Sequence, residues 1–251
     1  MEYDLIRQSR KTVGLYLRNG GVEVRAPYKV PKAEIDRFVA SKEKWITGKL
    51  AAERERQAKK QEFTVDYGGT LLWRGSEYPL LGDSADSRIW FDEKGFHFPP
   101  GLDEDTLKHN TVRLYKILAK NHLAERVRHF AGIMGDTPSK VKVTDAKTRW
   151  GSCSKRVPAG KHNPASLGQA LRYLQAAVDE PVYSVNFSWR LCMAEDALID
   201  AVVVHELAHI KKMNHSADFY AAVKAVLPDY DERNAKLKLL ARRLGCENWD
   251  L

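Results

Sequence analysis

The chain has 251 residues, 43% of them hydrophobic, with a formal net charge of +8. That length suits one large domain or a small domain joined to a larger one, and that apolar share builds an ordinary soluble core. The first eleven residues lack the apolar stretch of a signal peptide, and the most apolar run, 197–209, is broken by Asp200, His205 and Glu206, so no membrane partner and a cytoplasmic location are expected. Cys153, Cys192 and Cys246 are too widely spaced for a disulfide framework or a cysteine-paired zinc module.

In chain order, short strands are expected over 3–7, 13–18 and 22–26, with Asn19-Gly20-Gly21 as the tight turn between the last two. Past Pro27 and Pro31, Ile35, Phe38, Val39, Trp45 and Ile46 recur at helical spacing and predict one long helix over 32–60. The stretch 63–98 returns to strands broken by glycines, and Pro99-Pro100-Gly101 marks a boundary. Residues 107–134 read as a long helix with Leu114, Ile117, Leu118, Leu123, Val127 and Phe130 turned inward, ended by Gly135 and Pro138. A strand at 141–144 precedes an inserted stretch, 155–182, holding a short helix at 167–178. Residues 183–192 alternate like a strand and 196–212 read as helix. Ser216 caps a helix over 217–227, and Asp229 with Glu232 begins a last helix ending near Gly245. The expected architecture is α+β: a strand-rich N-terminal region with one long helix over 1–105, then a catalytic domain over 106–251.

The chemistry concentrates at His205-Glu206-Leu207-Ala208-His209. Histidines four apart on a helix share a face, about 6 Å apart in rise, so both imidazoles can reach one ion. Zinc accepts such nitrogen ligands, and the carboxylate of Glu206 beside it can take a proton from water. The bland alternative is a pair of core histidines satisfied by hydrogen bonds, but burying His, Glu and His in so apolar a helix without a purpose is costly. A catalytic site needs a third protein ligand and one open position. His215 is the leading candidate, provided the chain turns back after His209, and Asn214 tolerates the left-handed conformation that ends a helix. Asp218 and Glu232 are the alternatives. His215 has metzincin spacing, but Lys212 stands where those enzymes have Gly and no Met follows downstream. Upstream, Trp150 reads as core and Cys153 as a buried thiol, while Arg149 can neutralise an oxyanion or hold a substrate carboxylate or phosphate. His122 and His129 share a helix face and read as solvated.

HELAH-IKKMNHS-ADFY together with Thr148–Ser154 (TRWGSCS) resembles the YgjP-like metallopeptidase family, related to SprT and WLM proteases. Gly21–Pro27, Lys44-Trp45-Ile46 and Val185–Arg190 extend the resemblance over most of the chain. It implies a reduced, gluzincin-type zincin catalytic half, one Zn2+ held by His205, His209 and His215, and Glu206 as general base. The segment 155–182 departs from the family, which joins its RWGSCS segment to the next strand by a few residues.

The reading is therefore a zinc-dependent peptidase acting on a peptide or protein, with Arg149 and Arg190 as candidate substrate contacts. One alternative keeps the metal and cleaves a phosphoanhydride, as in a nucleoside triphosphate, although no glycine-rich phosphate loop is present. Another is a protease that docks on DNA. Positive charge is unevenly spread: residues 1–62 hold 15 Lys and Arg against 9 Asp and Glu, and residues 107–130 hold 6 against one. Such blocks can attract nucleic acid or nucleotides, though solvated helix faces are the commoner meaning.

Overall fold

The computed structural model describes residues 1–18, 20–84, 87–156 and 181–250. The chain divides into two compact units, 1–64 with 243–248 and 65–242 with 249–251. The helix expected at 167–178 lies outside the described residues, as does most of the inserted stretch.

The first unit begins with β1 (Asp4–Gln8), β2 (Gly14–Arg18) and β3 (Gly21–Pro27), in the order β1-β3-β2. The central strand pairs parallel with β1 and antiparallel with β2. Val22, Val24 and Ala26 alternate on one face of β3 and are buried there against Ile35, Val39 and Ile46. The helix expected over 32–60 is two helices, α1 (Lys32–Ser41) and α2 (Glu43–Glu62). They break at Lys42, whose φ of −106° and ψ of 3° are not helical and whose N–H closes on the Val39 carbonyl at 3.0 Å. In one straight helix Ile46 would stand about 16 Å beyond Ile35 along the axis. The break brings both onto one small core. Trp45, which recurs at helical spacing with these residues, is 50% exposed, and its neighbour Ile46 takes the inward place.

The second unit contains β4 (Thr70–Trp73), β5 (Ser76–Leu81), β6 (Trp90–Phe91) and β7 (Phe96–His97), in the order β4-β5-β7-β6. These strands, read from sequence as part of the N-terminal region, share this unit with the HELAH helix. Next comes α3 (Glu104–Met134), 31 residues long. Asp103 caps it by accepting the Thr106 N–H at 2.9 Å, and Gly135 ends it in the left-handed conformation. Leu114, Leu123, Val127 and Phe130 are buried as expected, but Ile117 is 48% exposed. Tyr115 on α3 stacks on Trp189 at 5.3 Å, and Trp249 meets both rings edge-on.

A second sheet contains β8 (Lys140–Thr144), β9 (Gly151–Arg156) and β10 (Val182–Ser188), in the order β8-β10-β9. β10 pairs parallel with β8 and antiparallel with β9, so β8 and β9 are its two edges. The strand expected through 192 stops at Ser188 and becomes a 3₁₀ turn, Trp189–Met193. There the Trp189 indole N–H donates to Asp145 at 2.6 Å, and Leu191, Cys192 and Met193 are buried. Three helices follow: α4 (Asp196–Lys211), α5 (Ala217–Val226) and α6 (Tyr230–Leu244). Among the described residues no helix is long and apolar enough to cross a membrane.

Candidate metal centre

Helix α4 is apolar around its circumference, with Leu198, Ile199, Val202, Val203, Val204 and Leu207 all buried. Such a helix has no amphipathic face to orient it, so polar contacts at its start set its rotation. Asp200 accepts a two-pronged pair from Arg126, at 2.6 and 2.8 Å. Asp196 accepts from Arg74 Nε at 2.8 Å, pairs also with Arg74 Nη2, and lies 3.0 Å from His122 Nε2. His122 and Arg126 are four apart on α3 and Asp196 and Asp200 four apart on α4, so the two helices meet through a ladder. His122 is thus largely covered rather than solvated, and burial pushes its pKa down despite Asp196.

Arg74 reaches Asp196 because it forms a two-residue turn with Gly75 between β4 and β5, both at positive φ, 49° and 81°. The turn donates its N–H groups to Cys192 and Met193 carbonyls at 2.8 and 3.1 Å, just ahead of α4. A Cβ on Gly75 would meet Glu195 at 2.7 to 3.2 Å, so only glycine permits this approach.

Helix α4 ends at Lys211, and its Lys212 cap has φ of −132° and ψ of 98°. The chain turns back through this extended residue. Asn214 does not take the left-handed conformation expected of it: Arg74 is the one non-glycine at positive φ among the described residues. Ser216 then caps α5, its hydroxyl accepting the Phe219 N–H at 3.4 Å.

This turn brings His205, His209 and His215 together, with one possible ligand atom from each lying within 4.8 Å of the others. His209 Nδ1 is 3.0 Å from the Lys212 carbonyl. A carbonyl only accepts, so that nitrogen carries the proton and Nε2 keeps its lone pair. His205 Nδ1 is 2.7 Å from the Tyr230 hydroxyl, and its Nε2 faces His215 Nε2 at 3.1 Å. Burial, with His209 and His215 adding to it, pushes the pKa of His205 down to about 4, and burial also lowers that of His209. Three imidazoles converging in this way, with the His209 Nε2 lone pair left free by the Lys212 carbonyl, suit a transition-metal cation. Phe219 lies under the cluster, stacked on His209 at 4.6 Å and edge-on to His205 and His215.

Glu206 is 6% exposed and points to β9 rather than into the histidine cluster. Burial pushes its pKa up to about 7, against the charge of Arg149 and a hydrogen bond donated by the Cys153 N–H. Gly151 lies against the same side chain, where a Cβ would stand 2.7 Å from Cγ and Oε1. The TRWGSCS segment therefore closes over the glutamate.

Among the described residues the three histidines form the one such cluster, without Asp218 or Glu232. Asp218 is exposed and 3.4 Å from Lys212 Nζ, and Glu232 is exposed. Arg149 is exposed and acts on Glu206 through its charge. Arg190 lies over the Trp189 ring and donates to the Asp145 carbonyl at 3.5 Å. Burial, and then Glu206, push the Cys153 thiol up to about 11, in keeping with a thiol rather than a nucleophile. The cysteines are all free. Tyr230 and Phe219 have site contacts that no spacing rule indicates.

The fold is α+β, with three histidines and a buried glutamate on or beside one apolar helix, and that combination defines a candidate metal-dependent hydrolase. The sequence pattern of the YgjP-like metallopeptidase domain matches residues 11–158 and 180–239, and the chain belongs to that family. Membership places it among metal-dependent peptidases. No curated protein and no solved structure matches it.

Proposed function

We propose that the protein hydrolyses peptide bonds with one zinc ion held by His205, His209 and His215 and with Glu206 as general base. When bound, the ion would polarise the scissile carbonyl and acidify a water. Glu206 would take the proton from the attacking water and return it to the departing amine. Tyr230 would accept the His205 Nδ1–H, which turns the opposite nitrogen toward the cluster. Arg149 would supply positive charge to a developing oxyanion or a substrate carboxylate. Arg190, occupied with Asp145 and Trp189, takes no step in this scheme.

The observation that carries the peptide reading is the edge of β9 beside Glu206, which pairs with no further strand among the described residues. The Trp150 carbonyl accepts the Ser188 N–H at 2.8 Å, so Trp150 faces β10. Alternation then turns the backbone groups of Gly151, Cys153 and Lys155 to the open edge, in keeping with the Cys153 N–H reaching Glu206. Beyond the Cys153 N–H, which Glu206 holds, the edge presents both donors and acceptors, which suits an extended peptide. The phosphate chain of a nucleoside triphosphate, where hydrolysis would occur, offers acceptors only. This arrangement, an edge strand over the HELAH helix, supports the reduced zincin reading.

The test is Glu206→Gln, assayed for zinc content and for turnover of a peptide library beside nucleoside triphosphates. Retained zinc with a rate loss of about 10²–10⁴ on peptides is expected. Undiminished peptide turnover would remove Glu206 as the base, and preferential turnover of triphosphates by the parent protein would replace the peptide reading.

A further inference from the structure

The sheet that carries β9 has a second edge, β8, on its far side. Ser139 donates its N–H to the Tyr183 carbonyl at 2.8 Å, so alternation turns the N–H and C=O of Lys140 and Lys142 away from β10. A hollow of about 610 Å³ runs between this edge and α3. Val112, Ile117, Val141 and Val143 supply its apolar lining. On α3, His109, Arg113, Lys116 and Lys120 stand at i, i+4, i+7 and i+11, which is one helix face. Lys116 pairs with Asp145 at 2.6 Å. Arg113 and Lys120 are exposed, and no carboxylate is among the described residues lining the hollow.

We propose that this groove docks an extended acidic segment of a protein partner, added as a strand to the β8 edge. Lysines on an edge strand also deter self-pairing. That role accounts for Lys140 and Lys142 but for neither the cationic wall on α3 nor the exposed apolar side chain of Ile117, 48% accessible. A nucleic-acid strand would satisfy the cations, yet its phosphates only accept, and the outward carbonyls of β8 would meet them unpaired. A peptide backbone pairs with both kinds of edge group. Its alternate side chains can then lie on the apolar floor while carboxylates reach Arg113 and Lys120. The groove uses none of the metal-centre residues, so docking is independent of the proposed hydrolysis.

The test is fluorescence anisotropy of the full chain with a labelled peptide of alternating Glu and Val, about ten residues long to cover one strand and its flanks. Saturable binding at low salt is expected, weakened about tenfold or more by Arg113→Glu combined with Lys120→Glu. N-methylation of alternate peptide amides should weaken it similarly, since strand addition needs those donors. His209→Ala should bind unchanged, whatever becomes of its turnover. Lys120→Glu alone, with a smaller expected loss, serves if the double variant does not fold by circular dichroism. No binding at low salt, equal binding by the folded charge-reversal variant, or equal binding of an alternating Lys and Val peptide would overturn the proposal. So would undiminished binding of the N-methylated peptide, or displacement of the parent peptide by an oligonucleotide that binds the groove more tightly.

Discussion

A methyl group on Gly151 probes whether β9 positions Glu206. In Gly151→Ala the new Cβ would stand 2.7 Å from Glu206 Cγ and Oε1 and 2.9 Å from Cδ. Carbon atoms pack best at about 3.5–4.0 Å, so one side must yield by close to an ångström. Gly151 is not among the glycines at positive φ, so the backbone accepts alanine and space alone decides the sign. Restricting the unfolded chain would stabilise by about 0.4–1 kcal/mol. Overpacking costs about 1–3 kcal/mol and outweighs it. The net loss is about 1–2 kcal/mol, a fall in melting temperature of roughly 2–8 °C for a unit of this size. Either the carboxylate leaves the Cys153 N–H or the strand retreats, and both shift the proposed base relative to the β9 edge. A misplacement of about 1 Å costs on the order of 10² in rate. The histidines are untouched by this methyl group, so metal content should hold. The assay is metal content, melting temperature and peptide turnover, with Ser152→Ala as the neighbouring control. Wild-type turnover and melting in Gly151→Ala would refute the contact, and parallel loss of metal would mean that the residue acts on the whole centre.

Tyr230→Phe removes the partner of His205 Nδ1 and should weaken metal binding about 10–100-fold, read by chelator competition, with little change in the fold. Arg126→Ala leaves Asp200, 13% exposed in its side chain, without its two-pronged partner, and should cost about 1–3 kcal/mol by denaturant titration. In that variant, Asp200→Leu should restore part of the loss, because the uncompensated carboxylate is then gone. His97 should give the second unit a pH dependence of its own. Burial opposes its charge, but Asp92 and Asp83 outweigh burial and raise its pKa. Its contribution is therefore full below about 6.5, the unfolded value, and fades as pH rises through the raised folded value. Asp92, held below its ordinary value first by His97, works oppositely and loses its contribution as the solution becomes acid enough to protonate it. Melting curves across this range should flatten in His97→Gln, and an unchanged slope would remove His97 as its source.

The candidate metal centre was legible where its geometry is local. His205 and His209 share a face because a helix repeats every 3.6 residues, and the apolar residues between and around them bury that helix. His215 was reachable as a candidate, with Ser216 as the next helix cap, but whether the chain turned back depended on what followed Lys211. The turn goes through an extended Lys212 and not through a left-handed Asn214, since the His209 ring and the Lys212 carbonyl bond to each other there. The inward residues of α3 followed the periodicity except at Ile117, whose face meets an open groove instead of a packed neighbour. Periodicity likewise ran through Lys42 without a sign of the break, because Ile35, Val39 and Ile46 lie on one stripe whether or not the helix bends.

Taken alone, the sequence marked the side chains that could bind a metal and most of the helices and strands, since both depend on residue type and spacing over a few positions. Only the tertiary structure decided what stands against Glu206, which residue holds His205, and what orients α4. Cys153 meets Glu206 across 53 positions of chain, Tyr230 meets His205 across 25, and Arg126 meets Asp200 across 74. Contacts of that range arise from the pairing of β9 with β10 and the packing of α3 on α4, and no local pattern encodes the partner because each such residue reads, by itself, as an ordinary surface or core side chain.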